Sequence, residues 1–124
     1  MRAPQVEIVR VYDQLVPAKN EYRVLIDRLW PRGIRKEALS FDRWAKDIAP
    51  TPELRKFYSH ELERFEEFKD RYLSELNSLP AKAEVELLVN KARKNKLILL
   101  TANKDIPHSS AWVLHQALVD QLHK

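Results

Sequence analysis

Cysteine is absent from all 124 residues of this chain. Without thiols the chain forms no disulfides, holds no cysteine-ligated zinc or iron–sulfur cluster, and performs no thiol catalysis. It also has no run of about 18 apolar residues, the length that a membrane-spanning helix requires. Residues 1–5 lack the apolar core of a signal peptide. The interpretation that follows from these absences is a cytoplasmic protein without a membrane span.

Glycine is nearly absent as well, since Gly33 is the single one in the sequence. Average usage of about 7% corresponds to roughly nine glycines in a chain of this length. Rossmann and Walker-A sites need several, because backbone N–H groups must approach a phosphate without an intervening Cβ. Both kinds of nucleotide site are excluded, and we predict no cofactor. The four histidines show no metal-ligand spacing on one helix face, so we predict no metal site.

Basic charge is concentrated in the first half of the chain. Residues 1–60 carry 12 basic and 8 acidic side chains, whereas residues 61–124 carry 10 of each. Within residues 28–36, four basic side chains occur with no acid between them: Arg28, Arg32, Arg35 and Lys36. Such a cluster suits an anionic ligand or a phosphate backbone. A solvated basic loop is the structural alternative.

Short apolar runs separated by helical patterns organise the rest of the sequence. Near-alternating β-branched residues predict a strand over Gln5–Val11, followed by a loop over 13–21. Continuous apolar runs predict strands at 22–27 and 97–101, buried on both faces. Five helices are predicted: a short one capped by Ser40, one beginning at Thr51, one over Glu61–Leu79, one over Lys82–Asn95, and a last one capped by Ser109 or Ser110. Trp44 and Trp112 are assigned to the core.

This order of elements predicts one α/β domain over residues 1–124. Its sheet is small and mostly parallel, with three or four strands, and about five helices cover it. The first two strands are joined by only about ten residues, which is short for a right-handed crossover. The direction of the first strand relative to the second is therefore left open.

The most distinctive segment is Asp27–Gly33, which follows the second strand. If the second and third strands are parallel, this segment faces the residues after Thr101 across a cleft, where open α/β sheets bind ligands. The ligand-binding candidates are Arg28, Arg32, Lys104 and Ser109, and the candidates for acid–base chemistry are Asp27, Asp105 and His108. The structural alternatives are a local ion pair of Asp27 with Arg28, and pairing of Asp105 with Lys104 or a helix cap.

Several segments resemble the YeaO-like branch of the domain-of-unknown-function 488 family. They are the block 27–33, the segments 10–13 and 44–50, the pattern Phe68-x-x-Arg71-Tyr72 and, less closely, Leu99–Asp105; the similarity runs from Val6 to Leu118. The resemblance implies a small bacterial or archaeal cytosolic α/β protein and no established activity. Wider members place a cysteine near the end of the third strand, where this chain has Thr101. A thiol mechanism is therefore excluded here.

Three functions follow from these observations. The first is a site for a phosphorylated or carboxylated ligand at the ends of strands 22–27 and 97–101, either catalytic or sensing. The second is nucleic-acid binding or regulation through the basic segment 28–36, extended by Lys91–Lys96. The third is a non-catalytic interaction protein that docks a partner on the acidic helix at 61–75. The oligomeric state, the ligand and any reaction stay open at this stage.

Overall fold

The chain folds into a parallel sheet with helices packed on one face. The computed structural model describes residues 6–13 and 16–123. The strands are β1 (Val6–Arg10), β2 (Glu21–Leu25), β3 (Arg43–Trp44) and β4 (Lys96–Thr101). The α-helices are α1 (Pro52–Tyr58), α2 (Phe65–Leu76), α3 (Ala81–Lys94) and α4 (Ser110–Leu122). Gln5 of the predicted first strand and residues 14–15 of the predicted loop lie outside the described residues.

The four strands are ordered β1-β4-β2-β3, and every neighbouring pair is parallel. The predicted α/β class and parallel sheet are confirmed. The structure also settles the direction of the first strand: β1 and β2 both run parallel to β4, which lies between them. The short connection 11–20 therefore does not join adjacent strands. β4 is central, so its residues pair on both sides, as Leu99 does with Ile8 and Val24.

The two faces of the sheet are covered in different ways. Val24, Ile26, Leu97 and Leu99 belong to a large core cluster that includes the buried residues of all four helices. On the opposite face a smaller cluster contains Leu25, Leu39, Ile98 and Leu100, together with half-buried residues of the loop after β2, and among the described residues it includes none from an α-helix. Alternate residues of the central strands β2 and β4 thus pack in different clusters, one on each face of the sheet. This confirms two-sided burial of the apolar runs.

The predicted helix capped by Ser40 is wrong. Arg43 and Trp44 form β3 instead, because the backbone here pairs with the edge of β2. The Asp42 amide donates to the Arg23 carbonyl at 2.7 Å, and the Arg23 amide donates to the Asp42 carboxylate at 2.8 Å. Helical bonding is limited to one 3-10 turn at Lys46–Ile48. The described residues therefore contain four α-helices rather than about five.

The ends of the other helices and one tryptophan also differ from prediction. The helix expected over Glu61–Leu79 is α-helical only over α2, and Leu79 lies beyond its end, exposed to solvent. The predicted core position of Trp112 is wrong: this residue is 41% exposed, because it lies on the outer side of α4, away from the buried stripe of Leu114 and Leu118. Among the described residues no helix is long and apolar enough to cross a bilayer.

Candidate functional site

A pocket of about 600 Å³ opens at the carboxyl ends of β2 and β4. These strands are parallel neighbours, so the segments that follow them emerge at the same edge of the sheet. The charged residues that line this strand-end pocket are Asp27, Arg28, Arg32, Arg55, Lys104 and Asp105. Ser109 and Ser110, at the start of α4, also line it. The structure thus brings together six of the seven predicted site residues.

Asp27 holds the ends of the two strands together. Its carboxylate accepts a bond from the Thr101 hydroxyl at 2.8 Å and from the Ala102 amide at 2.7 Å. Its own carbonyl accepts from the Trp44 indole at 2.7 Å. Burial raises the pKa of Asp27, and the two hydrogen bonds and the charge of Arg55 lower it by a smaller amount. The alternative of an ion pair with Arg28 is not observed, and the carboxylate of Asp27 is bonded instead to Thr101 and Ala102 at the end of β4.

Replacement of Asp27 by asparagine is expected to remove a pH dependence of stability. A carboxyl whose pKa is raised by folding binds its proton more tightly in the native state, so its stabilising contribution is complete below the unfolded pKa. As pH rises from 3.8 through the raised folded pKa, wild type should lose stability relative to Asp27→Asn, and the difference should then level off. Urea unfolding of both proteins between pH 3.5 and 7 measures this difference.

The exposed carboxyl of Asp70, on the outer side of α2, supplies the control. The Asp70→Asn variant removes one carboxyl charge without affecting the strand ends. If the difference between wild type and Asp27→Asn stays constant or grows with pH, Asp27 does not titrate in the way that its burial requires.

Arg28 and Arg32 reach the pocket from the loop after β2. Main-chain carbonyls orient the Arg28 guanidinium, which donates to Ala49 at 3.1 Å and to Pro50 at 3.3 Å. Arg32 lies exposed on a turn that the Tyr12 hydroxyl fixes by donating to the Arg32 carbonyl at 2.8 Å. Gly33 completes this turn at a φ of +80°, where a side chain would be strained although no atom obstructs it. The one glycine of the chain therefore shapes the turn that carries Arg32.

Lys104 and Asp105 reach the pocket from the loop after β4, and both are exposed. Arg55, on the exposed side of α1, is a pocket cation that is not among the residues predicted from the sequence. The Thr51–Pro52 start of α1 fixes where this helix begins, but no local signal shows which edge of the sheet it approaches. Among the described residues, no hydrogen bond or ion pair holds the side chains of Arg32, Arg55 or Lys104.

His108 is the predicted site residue that does not line the strand-end pocket. Its Nδ1 lies 3.0 Å from the Asp105 carboxylate, and its ring meets the edge of Phe65 with centroids 5.5 Å apart. The Tyr58 hydroxyl donates to its carbonyl at 2.7 Å. Ser109 does line the pocket, but it is buried, and its hydroxyl donates to the Ile106 carbonyl and accepts from the Trp112 amide. The structure thus gives Ser109 the role of helix cap.

The chemistry that this arrangement offers is attraction of negative charge. Among the described residues, four cationic side chains, two carboxylates and the imidazole of His60 line the pocket, which leaves an excess of two positive charges when both carboxyls are ionised and His60 is neutral. The hydroxyl at the end of β4, that of Thr101, is fully buried and is engaged by Asp27 and Asn103. It is therefore not presented to a ligand as a nucleophile.

Comparison with known proteins shows the family of this chain. The profile described as "Inactive DUF488-N3 subclade" matches residues 5–124. The chain belongs to the DUF488-N3i family. It is 41% identical to an uncharacterised protein of Mycobacterium tuberculosis (strain H37Rv) over 118 residues, which cover 95% of this chain and 97% of that one. It is also 40% identical to the uncharacterised protein YeaO of Escherichia coli (strain K12) over 111 residues, 88% of this chain and 92% of YeaO.

The predicted resemblance to the YeaO-like branch is confirmed by these matches. These two relatives are themselves uncharacterised proteins, so their names assign no ligand to the pocket. No solved structure matches the chain.

Proposed function

We propose that this protein binds a small anionic ligand, a phosphate or a carboxylate, in the strand-end pocket without transforming it. The observation that carries the proposal is the excess of cationic side chains around a cavity at the carboxyl ends of two parallel strands. Ligands of open α/β sheets bind at this edge. A cavity of about 600 Å³ also lies within the range of roughly 300–1,000 Å³ typical of small-molecule sites.

The four cations differ in how they could serve a ligand. The guanidinium of Arg28 is already fixed by two carbonyls, so it loses little side-chain entropy on binding. Arg32, Arg55 and Lys104 are exposed and can reorient around an anion. The first turn of α4 starts at the same pocket, and its dipole favours negative charge there. We assign Arg28, Arg32 and Lys104 to the ligand as predicted, add Arg55, and give Ser109 the supporting role of capping α4.

Binding without turnover is supported by three features of the site. The chain has no cysteine, and the hydroxyls of Thr101 and Ser109 are engaged within the protein. His108, the predicted acid–base candidate, lies beside Asp105 and does not line the pocket. The family description, an inactive subclade, agrees with this proposal. The role of Asp27 is then structural, since its carboxylate links the ends of β2 and β4 by hydrogen bonds. We assign no catalytic role to Asp27, Asp105 or His108.

Replacement of Arg32 by alanine is expected to weaken phosphate binding by about 10-fold or more, since hydrogen bonds to charged groups contribute roughly 1.5–3 kcal/mol. Phosphate at about 100 times its dissociation constant should stabilise wild type by about 2.7 kcal/mol. Thermal unfolding with sodium phosphate or sodium acetate, each compared with sodium chloride at equal ionic strength, measures the effect. The Arg32 side chain is exposed, so the fold should be retained.

Arg35 supplies a matched control, because it is exposed, belongs to the same basic segment and does not line the pocket. The Arg35→Ala variant should keep the full response to the ligand. If wild type responds to neither anion, or if the Arg32 and Arg35 variants lose the response equally, the pocket is not a specific anion site.

The nucleic-acid alternative predicts a different outcome for the same pair of variants. A phosphate backbone would engage the whole segment 28–36, so both substitutions should weaken binding, with a steep dependence on salt. The second basic group, Lys91–Lys96, lies at the end of α3 and the start of β4, whereas the pocket follows this strand of six residues. The two basic groups therefore lie about 20 Å apart, at opposite ends of the sheet. This separation favours the pocket over a continuous nucleic-acid surface.

A further inference from the structure

The wall of the strand-end pocket beside Arg32 is apolar and exposed. Leu29 is 65% exposed and Tyr12 is 47% exposed, and both side chains line the pocket. Trp30, half-buried, lines the same region and is fixed by its indole N–H, which donates to the Ile34 carbonyl at 2.6 Å. Large apolar side chains at the rim of a cationic cavity offer surface that an inorganic anion would not use.

The aromatic part of this wall is held next to the cation. The Tyr12 hydroxyl donates to the Arg32 carbonyl, and the Arg10 guanidinium lies 5.2 Å from the centroid of the Tyr12 ring. Tyr12 is therefore fixed at both its hydroxyl end and its ring. Leu29 and Arg32 are three residues apart on the same loop, so an apolar contact and a charged contact are available to one ligand.

The charge of the pocket selects among anions. In the part of the chain that the structure describes, the four Arg and Lys side chains of the pocket exceed its two carboxylates by two positive charges. A phosphomonoester carries about −1.5 to −2 at pH 7, whereas a single carboxylate carries one negative charge. A phosphomonoester dianion therefore complements the pocket better than a monocarboxylate does.

We infer that the ligand is a phosphomonoester that carries a planar aromatic group, with the phosphate on the cations and the ring against Leu29 and Tyr12. This inference rests on the proposed anion site and specifies its ligand class. The cavity volume of about 600 Å³ suits an organic ligand of this kind, because pockets of roughly 300–1,000 Å³ enclose most of an organic molecule. Burial of the ring removes apolar surface from water, both its own and that of Leu29.

Isothermal titration calorimetry with phenyl phosphate, methyl phosphate and benzoate tests the inference. Phenyl phosphate is expected to bind wild type about 10-fold more tightly than methyl phosphate, because it buries a ring in addition to the same dianion. The Leu29→Ala variant should reduce this preference at least about 3-fold and leave the affinity for methyl phosphate unchanged. The Arg32→Ala variant should weaken both phosphate esters, while Arg35→Ala should weaken neither. Far-ultraviolet circular dichroism of each variant confirms its fold.

The possible failures are distinguishable. If methyl phosphate and phenyl phosphate bind equally well, or if Leu29→Ala weakens both to the same degree, the ring contact is wrong and the anion site stands. If benzoate binds more tightly than phenyl phosphate, the ligand is a carboxylate, which overturns the inference and keeps the proposed function. If none of the three compounds binds, the proposed function fails together with the inference.

Discussion

Replacement of Thr101 by valine is expected to destabilise the protein by about 3 kcal/mol, because it leaves buried polar groups without their partner. The Thr101 side chain is fully buried at the end of the central strand. Its hydroxyl donates to Asp27 at 2.8 Å and accepts from Asn103, from the amide at 3.2 Å and from the side-chain nitrogen at 2.8 Å. Valine has nearly the same shape but makes none of these bonds.

The effect should extend to the ionisation of Asp27. The bond from Thr101 is one of the interactions that lower the pKa of this carboxyl against the opposing effect of burial. Without it the pKa of Asp27 should rise further, and the loss of stability with increasing pH should extend to higher pH. Urea unfolding of Thr101→Val at pH 5 and pH 7 measures both the total loss and its pH dependence.

Serine at position 101 supplies the matched control, because it keeps the hydroxyl and removes only one methyl group. Thr101→Ser should lose about 1 kcal/mol, the contribution of a buried methyl, and should keep the wild-type pH dependence. If valine destabilises no more than serine does, the hydroxyl network at the strand ends contributes nothing to stability. The tie between β2 and β4 would then rest on the backbone pairing alone.

The fold could be predicted from the sequence wherever the hydrophobic period was unambiguous. The runs Val24–Ile26 and 97–100 indicated two-sided burial, and both faces of these strands are covered. The predicted start of a helix at Thr51–Pro52 is also confirmed: the Thr51 hydroxyl accepts a hydrogen bond from the Leu54 amide, and Pro52 is the first residue of α1. These signals are local, since they depend on the spacing of apolar residues and on the chemistry of a single helix end.

The errors occurred where pairing with a distant segment outweighed a local preference. The segment Phe41–Ile48 has the apolar spacing of a helix. It forms β3 instead, because its backbone groups pair there with those of β2, which would otherwise lack partners on that side. The strand order could not be predicted either, because no local sequence pattern indicates that β4 lies between β1 and β2. The core position predicted for Trp112 is wrong because this residue lies on the outer, solvent-facing side of α4 and not in the buried stripe of that helix.

The candidate site was predictable in location and only partly in composition. The segments that follow β2 and β4 could be predicted to lie side by side on the assumption that these strands are parallel, and the strands are parallel in the structure. Arg55 and Tyr12 could not be found, because they enter the pocket from α1 and from the turn after β1, and their approach depends on the order of elements around the sheet. His108 follows Asp105 closely enough in sequence to suggest a shared site, but its ring packs against Phe65.

The largest loss of stability is expected from Leu99→Ala in the central strand. Leu99 is fully buried, its strand pairs on both sides, and its side chain belongs to the larger cluster between the sheet and the helices. Truncation of a buried leucine removes apolar contacts and leaves a cavity that a strand bonded on both edges cannot close by shifting. We expect a loss of about 3–4 kcal/mol in the free energy of unfolding, measured by urea denaturation.

The same substitution at an exposed leucine is the matched control, because it removes the same atoms from a side chain that is not buried. Leu29→Ala, at the rim of the strand-end pocket, should change the free energy of unfolding by less than about 0.5 kcal/mol, since Leu29 is 65% exposed. Leu99→Ala should retain anion binding at saturating ligand, because the residues that line the pocket are unchanged and Leu99 is not among them. A loss below about 1 kcal/mol for Leu99→Ala would mean that the sheet relaxes around the cavity, so β4 would not be the rigid centre on which the two strand exits are aligned.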